Sequence, residues 1–232
     1  MGEAEPEKRK LGHPGNTGPA AVEDPTPSNP LEAAIRASDE AFIQRYLKPD
    51  GSTWPVWTQG PDCCRRCSLS LVSAGDLTPD EHAACFDMVR LTSEADYRGS
   101  SLGWHPRAKR REMREPELRY VLVRDGEGAL QGFMSMMPTV ENGEAVVYCY
   151  EIHLMPVLQG TGLGRLLMGF GMAVAENIPV RKMMLTCFRS NKRALRFYER
   201  LGFEVDDFSP RERRLRSGRV VESDYRRFIT HN

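Results

Sequence analysis

The segment Tyr148–Phe170, with the sequence YCYEIHLMPVLQGTGLGRLLMGF, joins an aromatic, apolar run to three glycines within five residues. Apolar residues then recur at helical spacing to about Asn177, so the segment predicts a β-strand that passes directly into an α-helix. Peptide N–H groups at a helix start lack partners within the helix, and the helix dipole adds positive potential there. Because glycines carry no side chains, a pyrophosphate can approach these donors closely. The junction therefore predicts an anion cradle.

Two common phosphate-binding patterns do not fit this junction. The dinucleotide pattern G-x-G-x-x-G fails because Arg165 takes its last position, and the P-loop pattern lacks its Gly-Lys-Ser/Thr ending. The residues Gln159–Gly164 match instead Q-x-x-G-x-G, the acyl-coenzyme A signature of the GCN5-related N-acetyltransferases. Glycines can also simply cap a turn, and this alternative stays open for the six residues alone.

A second motif follows at a suitable distance. Residues 191–204 read N-x-x-A-x-x-F-Y-x-x-x-G-F-E, which resembles the second half of the same acetyltransferase fold. A helix, a turn and a strand alone would supply the apolar positions, but hardly both motifs in this order. The resemblance implies an acetyltransferase that uses acetyl-coenzyme A (acetyl-CoA) as its cosubstrate.

The rest of the chain predicts a single α+β domain around a mixed sheet. Residues 1–30 contain six prolines and four glycines without a hydrophobic period, which predicts a disordered tail before an N-acetyltransferase domain at 31–232. Helices are predicted from Pro30 to about Lys48, at 79–98 and within 105–114. Strands at 118–125, 129–137 and 145–155, separated by glycine-containing turns, predict an antiparallel meander. After the glycine loop and its helix we expect a strand at 182–188, a helix at 191–201, and strands at 202–207 and 223–230.

The overall charge of the chain excludes some partners. Lysine plus arginine equals aspartate plus glutamate at 32 each, so we expect no global attraction to nucleic acid or anionic lipid and no specific reading of nucleic acid. No apolar run approaches the roughly 20 residues that a membrane helix needs. The basic clusters at 107–114 and 211–219 are expected to be solvated faces. We expect the protein in the nucleus and cytoplasm.

Four residues have a spacing that can bind zinc. Cys64, Cys67, His82 and Cys85 read C-x-x-C followed by H-x-x-C. However, Cys67 falls in a predicted strand, and His82 and Cys85 fall in the predicted helix that begins with a capping box at Thr78. We therefore expect reduced structural thiols and no metal.

A more specific resemblance comes from three further segments and one tryptophan. YCYE at 148–151, MLTCF at 184–188, DDFSP at 206–210 and Trp104 together resemble the NatD family of N-terminal acetyltransferases, over roughly residues 30–230. The family acetylates the α-amino group of histones H-4 and H-2A, whose tails begin Ser-Gly-Arg-Gly. The resemblance implies histone tails as partners, with nucleosomes or ribosomes as further candidates. The sequence departs from the family at Leu102, where a second tryptophan is often found.

The chemistry of an α-amine fits this resemblance. Its pKa is about 7.7–8, so mild help suffices to deprotonate it for direct attack on a thioester, without a covalent enzyme intermediate. Glu151 is the predicted general base, acting directly or through a water, with Tyr150 beside it as the second catalytic residue. His153 is the alternative base. A strand bulge near Glu151–Leu154 is expected to free backbone N–H groups for the thioester oxygen.

The resemblance also implies two sets of binding residues. Those for acetyl-CoA are Ile152, His153, Leu154, Gln159, Gly160, Thr161, Gly162, Leu163, Gly164, Asn191 and Tyr198. Those for the first residues of the tail are Tyr97, Trp104, Glu141, Tyr148, Tyr150, Thr186 and Tyr225. Glu141 is expected to pair with the arginine of the tail, although a solvated turn glutamate remains an alternative. The tyrosines, Tyr198 included, can equally serve core packing.

Two other functions remain open at this stage. The protein can be an acetyltransferase for lysine side chains or small amines, or a non-catalytic acyl-CoA-binding module that needs the glycine cradle but not the glutamate.

Overall fold

A computed structural model of the chain describes residues 29–48, 53–59, 65–180, 182–210, 213–214 and 220–231. The α-helices are α1 (Pro30–Arg36), α2 (Asp39–Phe42), α3 (Pro79–Arg98), α4 (Pro106–Glu112), α5 (Leu163–Asn177) and α6 (Lys192–Arg200). The strands are β1 (Val56–Thr58), β2 (Arg66–Ser73), β3 (Arg119–Arg124), β4 (Leu130–Glu141), β5 (Glu144–Leu154), β6 (Lys182–Phe188), β7 (Glu204–Val205), β8 (Arg213–Arg214), β9 (Val220–Val221) and β10 (Tyr225–His231).

The strands form a mixed eight-stranded sheet in the order β1-β2-β3-β4-β5-β6-β10-β7. The meander β2 to β5 is antiparallel, β5 and β6 are parallel, and β10 inserts antiparallel between β6 and β7. The glycine loop and α5 make the crossover between the two parallel strands, as such a pair requires. The predicted α+β fold with a mixed central sheet is confirmed.

Helices cover both faces of the sheet. On one face, α5 buries Leu167, Phe170 and Val174 in the larger apolar cluster. On the other face, α3 buries Phe86 and Val89 in a second cluster. Strand β3 serves both, because its consecutive side chains alternate between the two clusters. The glycine junction begins at the end of β5, which is with β4 one of the two central strands of the sheet.

The predicted single helix from Pro30 to Lys48 is wrong. The chain is extended at Ala37 and Ser38, and the Ser38 hydroxyl accepts a hydrogen bond from the Ala41 N–H to start α2, which continues as a π-helical turn at Ile43–Leu47. The cause lies far away in sequence. The guanidinium of Arg119, almost fully buried, donates to the carbonyl oxygens released at the break and pairs with Asp39.

The other predicted elements agree with the structure to different degrees. Helix α3 has the predicted bounds and its capping box between Thr78 and Glu81. The strand predicted at 202–207 is only two residues long, and β1 was not predicted. Of the predicted tail at 1–30, residues 1–28 lie outside the described residues, whereas Asn29 caps α1 and Pro30 begins it. The arginine-rich loop at 211–219 lies largely outside them too, as does Cys64.

Candidate active site

The bulge in β5 lies at Tyr150. Ser135 of β4 is opposite Glu151 while Met136 is opposite Cys149, so Tyr150 is the extra residue. The bulge therefore precedes the predicted position, and Glu151–Leu154 pair regularly with β4. A bulge points two consecutive side chains to the same face, which strict alternation would separate. Tyr150 and Glu151 consequently share one face of the sheet.

The other edge of β5 is open beyond the bulge. Pairing with β6 runs from Val146 opposite Lys182 to Cys149 opposite Leu185, and within the described residues it extends no further. A cavity of about 1180 Å³ occupies the space between the diverging strands. It extends from the glycine loop, past Glu151, to the side chains of α3 and α4. Backbone N–H groups on this open edge are the donors available to a ligand oxygen.

The glycine loop forms one end of the cavity. Gly160 and Gly162 have φ values of +80° and +93°, which favour glycine strongly, and Gly162 is the N-cap of α5 without a side-chain hydrogen bond. A Cβ added at Gly162 would meet no protein atom within 4 Å, so the space above the helix start is left for a ligand. This arrangement fits the pyrophosphate of acetyl-CoA.

Three polar side chains brace the loop. The Gln159 amide donates to the Leu154 carbonyl oxygen at 2.9 Å, which ties the loop to the end of β5. Arg193 at the start of α6 donates to the amide oxygen of Gln159 at 2.6 Å. The hydroxyl of Thr161 donates to the Leu158 carbonyl oxygen at 2.6 Å. The loop is thus held in shape by two of its own polar side chains and by Arg193 of α6.

A buried chain of polar groups forms the centre of the cavity. Oε1 of Glu151 lies 2.9 Å from Nζ of Lys109, and Oε2 lies 2.6 Å from Nε2 of His153. Nδ1 of His153 lies 2.6 Å from the Thr92 hydroxyl. Lys109 also contacts Glu112 at 2.7 Å. Both nitrogens of His153 therefore have protein partners, while Glu151 is held between a cation and an imidazole.

The surroundings of Glu151 fix its charge. Burial opposes ionisation, but the Lys109 ammonium and the hydrogen bond from His153 outweigh it, so the pKa of Glu151 falls to about 2. Burial also opposes the charge on Lys109, yet Glu151 and Glu112 raise the pKa of that ammonium above its ordinary value. The pair is therefore ionised throughout the physiological pH range.

Aromatic rings line the cavity beyond Glu151. The Tyr97 ring lies 5.5 Å from Trp104 and 4.7 Å from Phe188, and the Tyr148 and Tyr150 rings are 4.9 Å apart, measured between centroids. Burial raises the pKa of Tyr97 and of Tyr150 to about 12, so both phenols remain neutral hydrogen-bond donors. The site can therefore enclose a small, polar chain end between rings.

An ion pair lies at the outer part of this wall. Glu141 at the end of β4 is 4.0 Å from Arg227 of β10. The Tyr148 hydroxyl is 2.6 Å from the Thr186 hydroxyl on the neighbouring strand. Leu102, where the resemblance to NatD breaks, also lines the cavity and is 45% exposed. The predicted partner for the arginine of the tail thus has an arginine of the protein beside it.

All but three of the predicted site residues line this one cavity. The exceptions are Thr161, the fully buried Leu163, and Tyr225, which lies opposite Phe188 at the start of β10. Asn191 lines the cavity while its side chain caps α6. Tyr198 lines it too, but it is only 7% exposed and packs its ring on Phe197, Phe203 and Phe228. Each of the roles assigned to these residues stays a prediction.

Several residues of the site are not predicted from the sequence. Lys109 belongs to the basic cluster at 107–114 that is expected to be a solvated face, but it is 7% exposed and faces Glu151. The spacing of Lys109 and Glu112, three residues apart on one helix, was the available signal. No sequence pattern marks Thr92, Arg193 or Arg227, because each becomes part of the site only through tertiary packing.

The part of the chain that the structure describes contains neither a metal-binding cluster nor a membrane-spanning helix. No cluster of three or more His, Cys, Asp or Glu side chains is placed to hold a metal ion. No helix there combines the length and apolar character required to cross a membrane.

Comparisons with known proteins identify relatives of this chain. Residues 80–203, more than half of the chain, match the profile of the Acetyltransferase (GNAT) family. A Saccharomyces cerevisiae protein named N-alpha-acetyltransferase 40 is 32% identical over 181 residues, which cover 64% of this chain and 62% of the yeast protein. The chain thus matches less than two thirds of the length of that relative.

Solved structures with the same fold are more distant in sequence. An acetyltransferase from Streptococcus agalactiae has a TM-score of 0.53 at 14% identity, over 71% of this chain and 98% of that chain. The PaiA N-acetyltransferase from Thermoplasma acidophilum, solved in complex with coenzyme A, has a TM-score of 0.50 at 14% identity, over 71% and 99%. Acetyltransferases of this family use acetyl-CoA, which fits the glycine cradle of α5. The chain belongs to the GNAT acetyltransferase family.

Proposed function

We propose that this protein is an N-alpha-acetyltransferase that transfers the acetyl group of acetyl-CoA to the free N-terminal amine of histones H-4 and H-2A. One observation carries the proposal: the cavity leads from the glycine cradle to an ionised carboxylate, Glu151, beyond which aromatic rings enclose the remaining space. The similarity to a protein named N-alpha-acetyltransferase 40 supports the same substrate class.

The charge of Glu151 suits an amine substrate. An α-amine reaches the site largely as an ammonium ion below a pH of about 8. The Glu151 carboxylate attracts this ammonium, accepts its hydrogen bond and takes its proton, directly or through a water. His153 is less suited to take the proton, because both of its ring nitrogens already have partners within the protein.

The remaining requirements concern the acetyl group. Acetyl-CoA, when bound, supplies an acetyl group activated as a thioester. The helix start at Gly162 binds the pyrophosphate, and the N–H groups on the open edge of β5 stabilise negative charge on an acyl oxygen. Holding amine and acyl carbon together makes the attack effectively unimolecular, so no covalent enzyme intermediate is needed. The attack forms the amide C–N bond and breaks the thioester C–S bond, and coenzyme A leaves as a thiolate that takes up a proton to become the free thiol.

The residues of the outer cavity wall fit a peptide substrate that begins Ser-Gly-Arg-Gly. Small first residues suit a space bounded by the rings of Tyr97, Tyr148 and Tyr150. Glu141, at the end of β4, provides a carboxylate for the arginine at the third position of the tail. Arg227 is beside Glu141 and therefore competes with that arginine.

The test is a comparison of two peptides with the full chain. One is Ser-Gly-Arg-Gly-Lys with a free α-amine, and the other carries an acetyl block on that amine. We expect acetyl-CoA-dependent release of coenzyme A with the free peptide and only the hydrolytic background with the blocked one. Equal release would assign the activity to the lysine side chain. Coenzyme binding by calorimetry without release from any amine would favour a non-catalytic module.

A further inference from the structure

Lys109 is a buried cation at the base of the candidate active site. It is the one residue of α4 that is buried, and its side chain is 8% exposed. Its ammonium lies 2.9 Å from Glu151, 2.7 Å from Glu112 and 5.0 Å above the Tyr97 ring. The Glu112 side chain is 42% exposed. The ammonium thus joins an exposed carboxylate of its own helix to the buried carboxylate of β5.

A buried carboxylate requires such a partner. Removing an ion from water costs several kcal/mol unless opposite charge and hydrogen bonds compensate it. The ionisable groups that face Glu151 come from several elements: Lys109 and Glu112 of α4, Tyr97 of α3, Tyr120 of β3, Cys149 and His153 of β5, and Tyr198 of α6. Tyrosine and cysteine are neutral at physiological pH. Lys109 is therefore the permanent positive charge among these groups.

We propose that Lys109 is a positioning residue: its ammonium fixes the orientation of the Glu151 carboxylate and keeps it ionised in the cavity, so that the carboxylate can draw in the substrate ammonium. The inference rests on the proposed function, because it gives Glu151 a role toward an amine. It differs from a packing role in one respect. A packing role depends on the stem of Lys109, whereas the proposed role depends on its charge.

The first experiment measures stability without any peptide. The melting temperatures of the wild type, Lys109→Met, Glu151→Gln and the double variant are compared between pH 5 and pH 8. Arg111→Met is the matched control, because it removes a cation from an exposed position two residues further along the same helix.

The expected signs follow from the charge of Glu151. In the wild type its pKa is lowered, so its stabilising contribution is fully present from pH 5 to pH 8. Without Lys109, burial raises the folded pKa above the unfolded one, and the contribution of Glu151 is lost as pH rises through the folded value. The deficit of Lys109→Met should therefore grow by on the order of 5 °C between pH 5 and pH 8. This growth should vanish in the double variant and be absent in Arg111→Met.

The second experiment measures turnover of the free peptide against pH. Lys109→Met should lower kcat at pH 7 by about 10-fold or more and introduce a new pH-dependent limb below pH 8. Lys109→Arg keeps the charge and should restore the wild-type shape of the profile, even where its rate stays lower. A packing role would lower the rate without a new limb.

Several results would overturn the inference. One is a melting deficit of Lys109→Met that is equal at both pH values and unaffected by Glu151→Gln. Should Lys109→Met not fold, carbon-13 NMR of the wild type decides, with the Glu151 resonance assigned by its absence in Glu151→Gln. That resonance should show a carboxylate at pH 5, and titration between pH 5 and pH 8 would refute the role of Lys109. A wild type that releases no coenzyme A would refute the proposed function alone, since neither melting nor NMR uses a peptide.

Discussion

Nε2 of His153 lies 2.6 Å from Oε2 of Glu151, and both side chains are 8% exposed. Since Nδ1 of the same ring contacts Thr92, the imidazole is engaged at both nitrogens and supports the carboxylate rather than acting alone. The two candidate bases of the sequence are thus parts of one hydrogen-bonded unit, in which Glu151 is the member that carries a fixed charge.

Replacing Glu151 by glutamine should separate binding from turnover. Glutamine keeps the shape of the side chain but cannot carry the charge, so we expect acetyl-CoA affinity to be retained while turnover falls about 100-fold. The deficit should shrink above pH 8, where the substrate amine is already neutral. Steady-state kinetics from pH 6 to pH 9.5 and calorimetry with acetyl-CoA measure the two effects.

The same measurements on His153→Ala test the assignment of the base. If His153→Ala abolishes turnover at pH 7 while Glu151→Gln is nearly normal, His153 takes the proton and our assignment is wrong. If both variants keep normal turnover, solvent takes the proton and the site acts by positioning the reactants.

The glycine cradle predicts a specific effect at Gly162. A leucine there would carry a side chain into the space above the start of α5 and would have to adopt a φ near +93°. We expect Gly162→Leu to weaken acetyl-CoA binding about 10-fold or more, which corresponds to about 1.4 kcal/mol. Gly169→Ala, later in the same helix, is the control and should bind normally. If a folded Gly162→Leu variant binds acetyl-CoA with unchanged affinity in calorimetry, the glycine loop is not the pyrophosphate-binding site.

The pair of Glu141 and Arg227 predicts a change in peptide preference. The two groups are 4.0 Å apart and about 30% exposed, so their mutual attraction is worth about 0.5–1 kcal/mol. Arg227→Ala should release Glu141 and lower KM for Ser-Gly-Arg-Gly-Lys about two- to fivefold. The control peptide Ser-Gly-Ala-Gly-Lys should respond little. Equal changes for both peptides would mean that Glu141 does not bind the arginine.

Arg119 predicts a loss of stability without a direct effect on the site. Its guanidinium pairs with Asp39 and donates to carbonyl groups at the end of α1. Arg119→Met leaves these groups without their partner and should cost about 3–5 kcal/mol, or about 10 °C in melting temperature. Arg90→Met removes an exposed pair with Asp87 and should cost less than about 1 kcal/mol. Similar costs for the two variants would contradict the structural role of Arg119.

Local signals predicted much of the fold. Helix α3 was predicted because Thr78, Pro79 and Glu81 form its start in consecutive sequence, and α5 because its glycines and apolar period adjoin. The break at Ala37 and Ser38 was not predicted, because it depends on Arg119, which is remote in sequence. The apolar period that predicts a helix depends only on neighbouring residues, whereas this break depends on a side chain that is distant in sequence.

The sequence predicts part of the site in the same way. Motif residues such as Gly162 and Glu151 were found because their types and spacing reflect the ligand directly. Lys109 was missed because a basic cluster in sequence does not tell which of its members turns inward. The bulge lies at Tyr150, before the predicted position at Glu151–Leu154. Strand alternation in the sequence does not show where the pairing with a partner strand shifts its register.

The most direct test of the central claim is tandem mass spectrometry of Ser-Gly-Arg-Gly-Lys after incubation with the full chain and acetyl-CoA. The peptide offers an α-amine and a lysine amine in one molecule, so it serves as its own control. We predict a single acetyl group on every fragment that contains the N-terminal serine and none on fragments that contain only the lysine end. An acetyl group on the lysine side chain, with the α-amine unmodified, would contradict N-terminal acetylation by this protein.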